Sequence, residues 1–129
     1  MIPRYRAWNK NTKEMYETDD IVSIDIEKKQ IYVKTLFFDQ LNHYDFDDVV
    51  LMQSTGFRDK NGKEIFEGDV VKMAKNIYSE PTYYEVVRHR GGAYRLESKQ
   101  YGCELWLRHT DCEIAGNIYT DPELAEVSS

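Results

Sequence analysis

VVLMQSTGFRDKNGKEIFEGDVVK, residues 49 to 72, is the stretch that decides the fold of this chain. Two apolar runs, Val49–Met52 and Val70–Met73, flank a turn-rich connector. The Asn61-Gly62 pair in the connector can take the positive φ angles that a tight β-turn needs, and Gly68 opens the next strand. The stretch therefore predicts two strands joined by a compact turn, and it contains no recognisable catalytic motif.

The rest of the chain also favours short strands. Between Ile21 and Glu27 apolar and polar residues alternate, with Val22, Ile24 and Ile26 on one face, which is typical of a half-buried strand. The remaining predicted strands are Ile2–Trp8, a return through Met15 and Tyr16, Gln30–Phe37, Thr82–Arg90, Ala93–Glu97, Cys103–Leu107 and Cys112–Tyr119.

One hairpin signal and two helix signals complete this pattern. Gly91-Gly92 predicts a two-residue hairpin turn between the strands on either side of it. Apolar residues from Leu36 to Tyr44 recur at roughly helical spacing, which predicts one or two helical turns there. Asp121-Pro122 is a typical helix start, with Asp121 as N-cap, and predicts a short helix before a frayed end.

These elements predict an all-β (mainly β) protein. Residues 1–50 form an N-terminal strand-rich region in this interpretation. Residues 51–120 supply about five short strands, the number and spacing of an SH3-like β-barrel. Residues 121–129 form the short helix and tail.

Composition and charge restrict the function classes. The chain has 129 residues, of which 41% are apolar and 13% aromatic, enough for a packed core. No apolar run approaches the roughly 20 residues that cross a bilayer, and the start lacks the apolar stretch of a signal peptide. We therefore expect a cytoplasmic protein with no membrane partner.

The net charge of −6 is unevenly distributed. Residues 56–111 carry 10 basic and 9 acidic side chains, whereas residues 112–129 carry 4 acidic and no basic ones. A generally acidic surface argues against broad, sequence-independent duplex binding, because that affinity depends on neutralising phosphates. A local basic groove remains compatible with this balance.

Catalytic and metal chemistry find little support in the sequence. Cys103 and Cys112 fit no close-paired metal motif, and we expect reduced, partly buried thiols, although a hairpin crosslink remains open. Cys112 follows His109 by three residues, but no glycine elbow or oxyanion loop accompanies them. The acidic cluster Asp45, Asp47 and Asp48 is interpreted as solvated turn residues rather than as a hard-cation site. We expect no catalytic residues, no metal and no cofactor.

Aromatic and basic residues interleave between Tyr83 and Arg108. Such residues can form a stacking platform for single-stranded nucleic acid, an interface for a protein, or the core and rim of a small barrel. All three interpretations remain open. The candidate binding face consists of Tyr84, Arg88, Arg90, Tyr94, Arg95, Trp106 and Arg108.

Several distinctive stretches are spread along the chain: residues 2–8 (IPRYRAW), Leu51-Met52-Gln53 leading to Thr55-Gly56, residues 59–65 (DKNGKEI), residues 67–71 (EGDVV), residues 116–119 (GNIY) and residues 122–124 (PEL). Taken together, these stretches resemble the YopX-like family of phage and prophage proteins. The residues of this fold motif are Gly56, Asp59, Asn61, Gly62, Gly68, Asp69 and Gly116. Ser54 departs from the pattern, where an aromatic residue would be expected.

The resemblance implies a phage or prophage origin and an SH3-like barrel in the C-terminal part, and it attributes no catalytic residues that can be carried over. We therefore expect a non-enzymatic accessory protein that associates with itself and binds a host or phage protein. Exposed strand edges and tyrosine-rich faces are the physical reason to expect self-association. The alternative is a single-stranded nucleic-acid-binding module.

Overall fold

The structure is a computed structural model that describes residues 4–35, 40–74, 78–99 and 101–124. It is mainly β, as the sequence predicts. Within these ranges the strands are β1 (Tyr5–Asn9), β2 (Glu14–Tyr16), β3 (Ile21–Asp25), β4 (Gln30–Thr35), β5 (Gln40–Asp45), β6 (Val49–Arg58), β7 (Glu64–Phe66), β8 (Asp69–Met73), β9 (Thr82–Arg88), β10 (Tyr94–Glu97), β11 (Gly102–Glu104) and β12 (Glu113–Asn117). A four-residue helix, α1 (Leu105–Arg108), follows β11, and residues 122–124 begin the predicted C-terminal helix.

Contacts divide the chain into two compact units, Met1–Gln53 and Ser54–Ser129. The division falls within β6. The first half of this strand pairs with β1, and its second half pairs with β7. The SH3-like character of the C-terminal unit stays a prediction.

The N-terminal unit contains the antiparallel sheet β3-β4-β5 and the pairing of β1 with β2 and β6. Its buried side chains include Ile31 and Val33 on β4 and Ala7 on β1. Tyr16 stacks on Tyr44 with ring centroids 5.6 Å apart. A hydrogen bond with Tyr16, together with burial, raises the pKa of Tyr44 to about 12.

Two predictions for the N-terminal unit are wrong in part. Residues 40–45 form the strand β5 rather than helical turns, because each of them pairs with a residue of β4. Residues 36–39 lie outside the described residues. The simple alternation predicted from Val22 to Ile26 also fails, because a β-bulge between Ile21 and Ser23 interrupts the register and leaves Val22 57% exposed.

The C-terminal unit contains a five-stranded antiparallel sheet in the order β11-β10-β9-β8-β12. Its buried core lies on one face of this sheet. The core includes Val71, Tyr84, Val86 and Leu96 from neighbouring strands, and Leu105 from α1 closes it. The alternation of buried and half-buried residues along β9 matches the period of two that the sequence predicts.

The connector after β6 is organised by Asp59, which is 5% exposed. Its Oδ1 accepts hydrogen bonds from the backbone N–H groups of Asn61 and Lys63, both at 2.9 Å. Gly62 takes the predicted positive φ of +83°, whereas Asn61 does not. The carboxylate of Asp59 therefore shapes a turn that the sequence attributed to the Asn61-Gly62 pair.

Glu67 and Gly68 join β7 to β8, and Asp69 is the first residue of β8. Asp69 is 1% exposed, and its Oδ2 accepts a hydrogen bond from Phe66 N at 2.8 Å. Gly68 has a φ of +88°, and its N–H donates to Val86 O at 2.9 Å. Gly68 and Asp69 thus fix the path of the chain from β7 into β8, which is one of the strands of the five-stranded sheet.

Candidate interaction surface

The hairpin of β9 and β10 carries five residues of the candidate binding face, four on its strands and Arg90 in its loop. Arg88 lies directly opposite Tyr94, and Val87 lies opposite Arg95. Gly91 and Gly92 both have positive φ, but the connection is the longer loop 89–93, closed by a hydrogen bond from His89 N to Ala93 O. The hairpin prediction is therefore confirmed, and the two-residue turn is wrong.

The register divides the candidate residues between the two faces of the sheet. Residues that are directly opposite in neighbouring strands share a face, and adjacent residues of one strand do not. Arg88 and Tyr94 therefore lie on the face of the buried Val86 and Leu96, at its end, whereas Arg95 lies on the opposite face. The sequence could not show this division, because the face of each residue depends on strand alignment.

Arg95 is neutralised by acidic neighbours on its own face. Its Nη1 donates to Glu104 Oε1 at 2.5 Å, and its Nε lies 3.7 Å from Glu97 Oε1. Glu97 Oε1 also lies 2.6 Å from His89 Nε2. Burial, with a contribution from the charge of Glu97, raises the pKa of Glu85 on the neighbouring strand. This face therefore presents a network of both charge signs rather than a basic surface.

Tyr84 is 7% exposed and belongs to the core of the C-terminal unit. Its ring lines a cavity of about 160 Å³ together with Tyr101, Cys103 and Arg108, among others. Burial raises the pKa of Tyr84, and the charge of Arg108 opposes that shift. This candidate residue contributes to the wall of a small cavity rather than to an open stacking platform.

Helix α1 carries Trp106, the most exposed apolar side chain of the candidate face, beside a second exposed apolar residue, Leu107. Leu105 is fully buried, whereas Trp106 is 60% exposed and Leu107 is 58% exposed. Arg108 closes the helix, and its Nε donates to Asp111 Oδ2 at 3.1 Å. Leu105 therefore anchors a helix that holds two neighbouring apolar side chains in solvent.

Leu107 is the residue that sequence reasoning missed. The strand predicted for Cys103–Leu107 is wrong after Glu104, because the chain turns into α1. Four residues are too few for helical periodicity to be visible, so alternation gave no warning. The apolar run of Leu105, Trp106 and Leu107 was the available signal, since an alternating strand does not bury all three.

Within the described residues, the two cysteines and His109 make separate contacts. Cys103 and Cys112 are free thiols. Burial raises the pKa of Cys112 to about 12, and its Sγ donates to Arg108 O at 3.2 Å. His109 Nδ1 lies 2.8 Å from Arg58 O, and the ring packs on Phe57.

The search for other sites covered the described residues alone. Among them, no group of three or more His, Cys, Asp or Glu residues is placed to hold a metal ion. No helix within the described ranges is long and apolar enough to cross a membrane. Asp47 and Asp48 of the acidic cluster lie in a single 3₁₀ turn, Phe46–Asp48, before β6.

Comparison with known proteins gives the family. The model of the family described as YopX protein matches residues 4–126. The crystal structure of protein EF1440 from Enterococcus faecalis is 27% identical, with a TM-score of 0.66, and the match covers 97% of this chain and 99% of that one. Protein yopX from Bacillus subtilis is 23% identical, with a TM-score of 0.67 and coverages of 94% and 96%, which shows a shared fold. No match is found among curated proteins. Because the family model covers nearly the whole chain, the resemblance seen in the sequence is confirmed, and this chain belongs to the YopX protein family.

Proposed function

We propose that this chain is a non-enzymatic accessory protein of phage or prophage origin that binds another protein and associates with itself. The observation that carries this proposal is the exposure of Trp106 and Leu107 side by side on α1. Tryptophan is among the residues that contribute most to binding energy at protein interfaces. The phage or prophage origin rests on the family resemblance.

The anchoring of α1 supports a binding role for these two side chains. Leu105 is buried in the core of the C-terminal unit, so the backbone that carries Trp106 is held in place before any partner arrives. A rigid apolar anchor loses less conformational entropy on binding than a flexible one does. Tyr101, 54% exposed, extends the exposed apolar area of the same unit.

The thiols support a non-enzymatic protein of the cytoplasm. Cys112 is fully buried, and its high pKa keeps it as an uncharged thiol at neutral pH, whereas a nucleophilic cysteine requires a thiolate. Cys103 and Cys112 are both free, which suits a reducing compartment.

Binding of single-stranded nucleic acid is the alternative. It is favoured by Arg88 and Arg90, which are exposed near Tyr94 at the turn of the β9–β10 hairpin. Against it, Arg95 and Arg108 hold acidic partners and offer less net charge to phosphates. This alternative predicts salt-sensitive binding that is lost on Arg88→Glu.

The test is a pull-down from host lysate, with and without nuclease, using the wild type and two variants. We expect a protein that is captured despite nuclease, lost with Trp106→Ala/Leu107→Ala and retained with Tyr78→Ala. Tyr78 is 91% exposed and serves as the matched aromatic control. Equal capture by all three proteins would remove Trp106 and Leu107 from the proposal, and recovery of nucleic acid alone would favour the alternative.

Self-association is tested by sedimentation velocity over a range of concentrations. We expect a species larger than a monomer that dissociates on dilution. A monomer at every concentration would remove self-association from the proposed function and leave binding of another protein to be judged by the pull-down.

A further inference from the structure

Two sulfur atoms lie side by side in the core of the C-terminal unit. Met73 is the last residue of β8, and Cys112 directly precedes β12. These strands pair with Lys72 opposite Glu113, so the next position outward brings Met73 beside Cys112. Cys112 Sγ lies 4.0 Å from Met73 Sδ. The register of two neighbouring strands therefore sets this sulfur–sulfur distance.

Cys103 brings a third sulfur to the same part of the core. It lies on β11 directly opposite Leu96, so the two side chains share the face of the sheet that carries the core. Although β11 and β12 are at opposite ends of the sheet order, Cys103 packs against the core cluster that contains Met73 and Cys112. Cys103 and Met73 also line the same cavity of about 160 Å³.

The electrostatics of Cys112 agree with this packing. Burial raises the pKa of Cys112 to about 12, and the charge of Cys103 is the next cause of that rise. Coulomb interactions weaken with distance, so this contribution also places the two thiols near each other.

The distance between Cys112 and Met73 suits a metal ion bound by three sulfurs. Bonds between a metal ion and a thiolate are about 2.3 Å long, so three sulfurs that surround an ion in one plane lie about 4.0 Å from one another. Cys112 Sγ and Met73 Sδ already have this separation. An ion could therefore bind with little movement of these two side chains.

The types of ligand favour copper(I). Thiolate and thioether sulfurs are soft ligands that select this ion, whereas zinc in structural sites takes four ligands from cysteine and histidine. Within the described residues, no group of three or more His, Cys, Asp or Glu is placed to hold a metal ion. A site that includes the thioether of Met73 therefore fits a soft monovalent ion rather than zinc.

Arg108 lies where it can balance the charge of such a complex. Copper(I) displaces one proton from each thiol, so the ion and the two thiolates together carry one net negative charge. Burial raises the pKa of both Cys103 and Cys112, and the positive charge of Arg108 opposes the rise in each. The same positive charge would stabilise the bound thiolates.

The cavity provides a route from solvent to the sulfurs. Tyr101 forms part of its wall and is 54% exposed, whereas Cys112 is fully buried. Cys103 on the same wall is only partly buried, so it can contact an entering ion first. Met73, which also lines the cavity, and Cys112 beside it would complete the coordination.

We propose that Met73 Sδ, Cys103 Sγ and Cys112 Sγ bind one copper(I) ion. The ion would join the end of β8 to β11 and to the start of β12. This inference goes beyond the proposed function and does not depend on it, because neither self-association nor a protein partner takes part in the site.

The experiment is a competition for copper(I), under anaerobic conditions, between the protein and a colorimetric copper(I) chelator. We expect the wild type to withdraw one ion per chain. Because loss of a partner that only orients a ligand already costs about 10–100-fold in metal affinity, loss of a thiolate in Cys103→Ser or Cys112→Ala should cost at least about 100-fold. Met73→Leu removes the thioether at similar volume and should weaken binding about tenfold.

Met52→Leu is the matched control. Met52 is 1% exposed, so the same substitution is again made at a buried methionine, but Met52 belongs to the N-terminal unit. This variant should bind copper(I) as the wild type does. Urea unfolding of each variant shows whether it is folded, and Met73→Leu should remain so because the substitution conserves volume.

X-ray absorption at the copper edge identifies the ligands directly. We expect three sulfurs at about 2.3 Å from the ion in the wild type. In Met73→Leu we expect two, a change that a purely structural role of Met73 would not produce.

Four outcomes would overturn the inference. They are a wild type that withdraws no copper(I), equal affinity of the wild type and Cys103→Ser, fewer than three sulfurs around the ion in the wild type, and one ion shared by two chains. A failure to capture a protein or to self-associate would remove the proposed function and leave the copper(I) site unaffected.

Discussion

Asp59 Oδ2 accepts a hydrogen bond from the backbone N–H of Ile114 at 3.0 Å, across 55 positions of the chain. The other carboxylate oxygen of Asp59 holds the turn that follows β6. Lys60 N also donates to Cys112 O at 2.8 Å. The turn after β6 is thereby joined to the start of β12, the edge strand of the five-stranded sheet.

We predict that Asp59→Asn lowers the free energy of unfolding by about 1–3 kcal/mol. An amide has a single oxygen, so it cannot accept the hydrogen bonds that both carboxylate oxygens accept. Its NH₂ group would face a backbone N–H donor in a buried position. Urea denaturation of the wild type and the variant measures the loss. Asp111→Asn, at an exposed position, is the control and should change stability much less.

The stabilisation by Asp59 should depend on pH. Burial alone would raise the pKa of Asp59, but the hydrogen bonds from the N–H groups of Ile114, Lys63 and Asn61 outweigh burial and hold it below its ordinary value of 3.8. A carboxyl whose folded pKa is lowered stabilises the fold fully above its unfolded pKa, and this contribution is lost as the pH falls through the folded value. We therefore expect the difference in unfolding free energy between wild type and Asp59→Asn to shrink below pH 3.8. A difference that stays constant into that range would contradict the assignment.

Local chemistry made the main features of the fold predictable. Gly62 and Gly91 both take the positive φ that their turn sequences indicate. The contact between Asp59 and Ile114 was not predictable, because no local pattern connects residues so distant in sequence. The division of the candidate binding face between the two faces of the sheet was not predictable for a related reason, since the placement of Arg95 opposite Val87 depends on strand register.

Short irregular elements were the other part of the fold that the sequence did not predict. The bulge at Val22 changes which residues face solvent, and a single inserted residue leaves no periodic signal. Helix α1 has one turn, so its exposed Trp106 and Leu107 could not be separated from a strand by spacing alone.

We predict different costs for alanine at two motif glycines. Gly62 has open space around its Cα but a φ of +83°, so Gly62→Ala should cost roughly 1 kcal/mol from backbone conformation alone. At Gly116 an added Cβ would meet the carboxylate of Asp121 and would lie 2.8 Å from Leu124 Cδ1. Gly116→Ala should therefore cost more, about 1–3 kcal/mol, as overpacking does. Thermal and urea unfolding measure the loss of stability in each variant. A smaller loss of stability for Gly116→Ala than for Gly62→Ala would contradict this prediction, because it would show that the segment with Asp121 and Leu124 moves away freely.

The two thiols should differ in their reactivity toward an aromatic disulfide reagent that reports released thiolate by absorbance. Burial raises the pKa of Cys103, but the charges of Arg108 and Arg95 offset part of that effect, and this thiol lies on the wall of a cavity. Cys112 is fully buried with a pKa of about 12, so both access and thiolate formation are suppressed in the folded protein. We expect slow reaction of Cys103 alone in the native state and rapid reaction of both thiols in denaturant. Cys103→Ser should then abolish the reaction of the native protein, whereas Cys112→Ala should preserve it. A reaction of the native protein that survives Cys103→Ser would contradict this prediction and would show that the core around Cys112 opens without global unfolding.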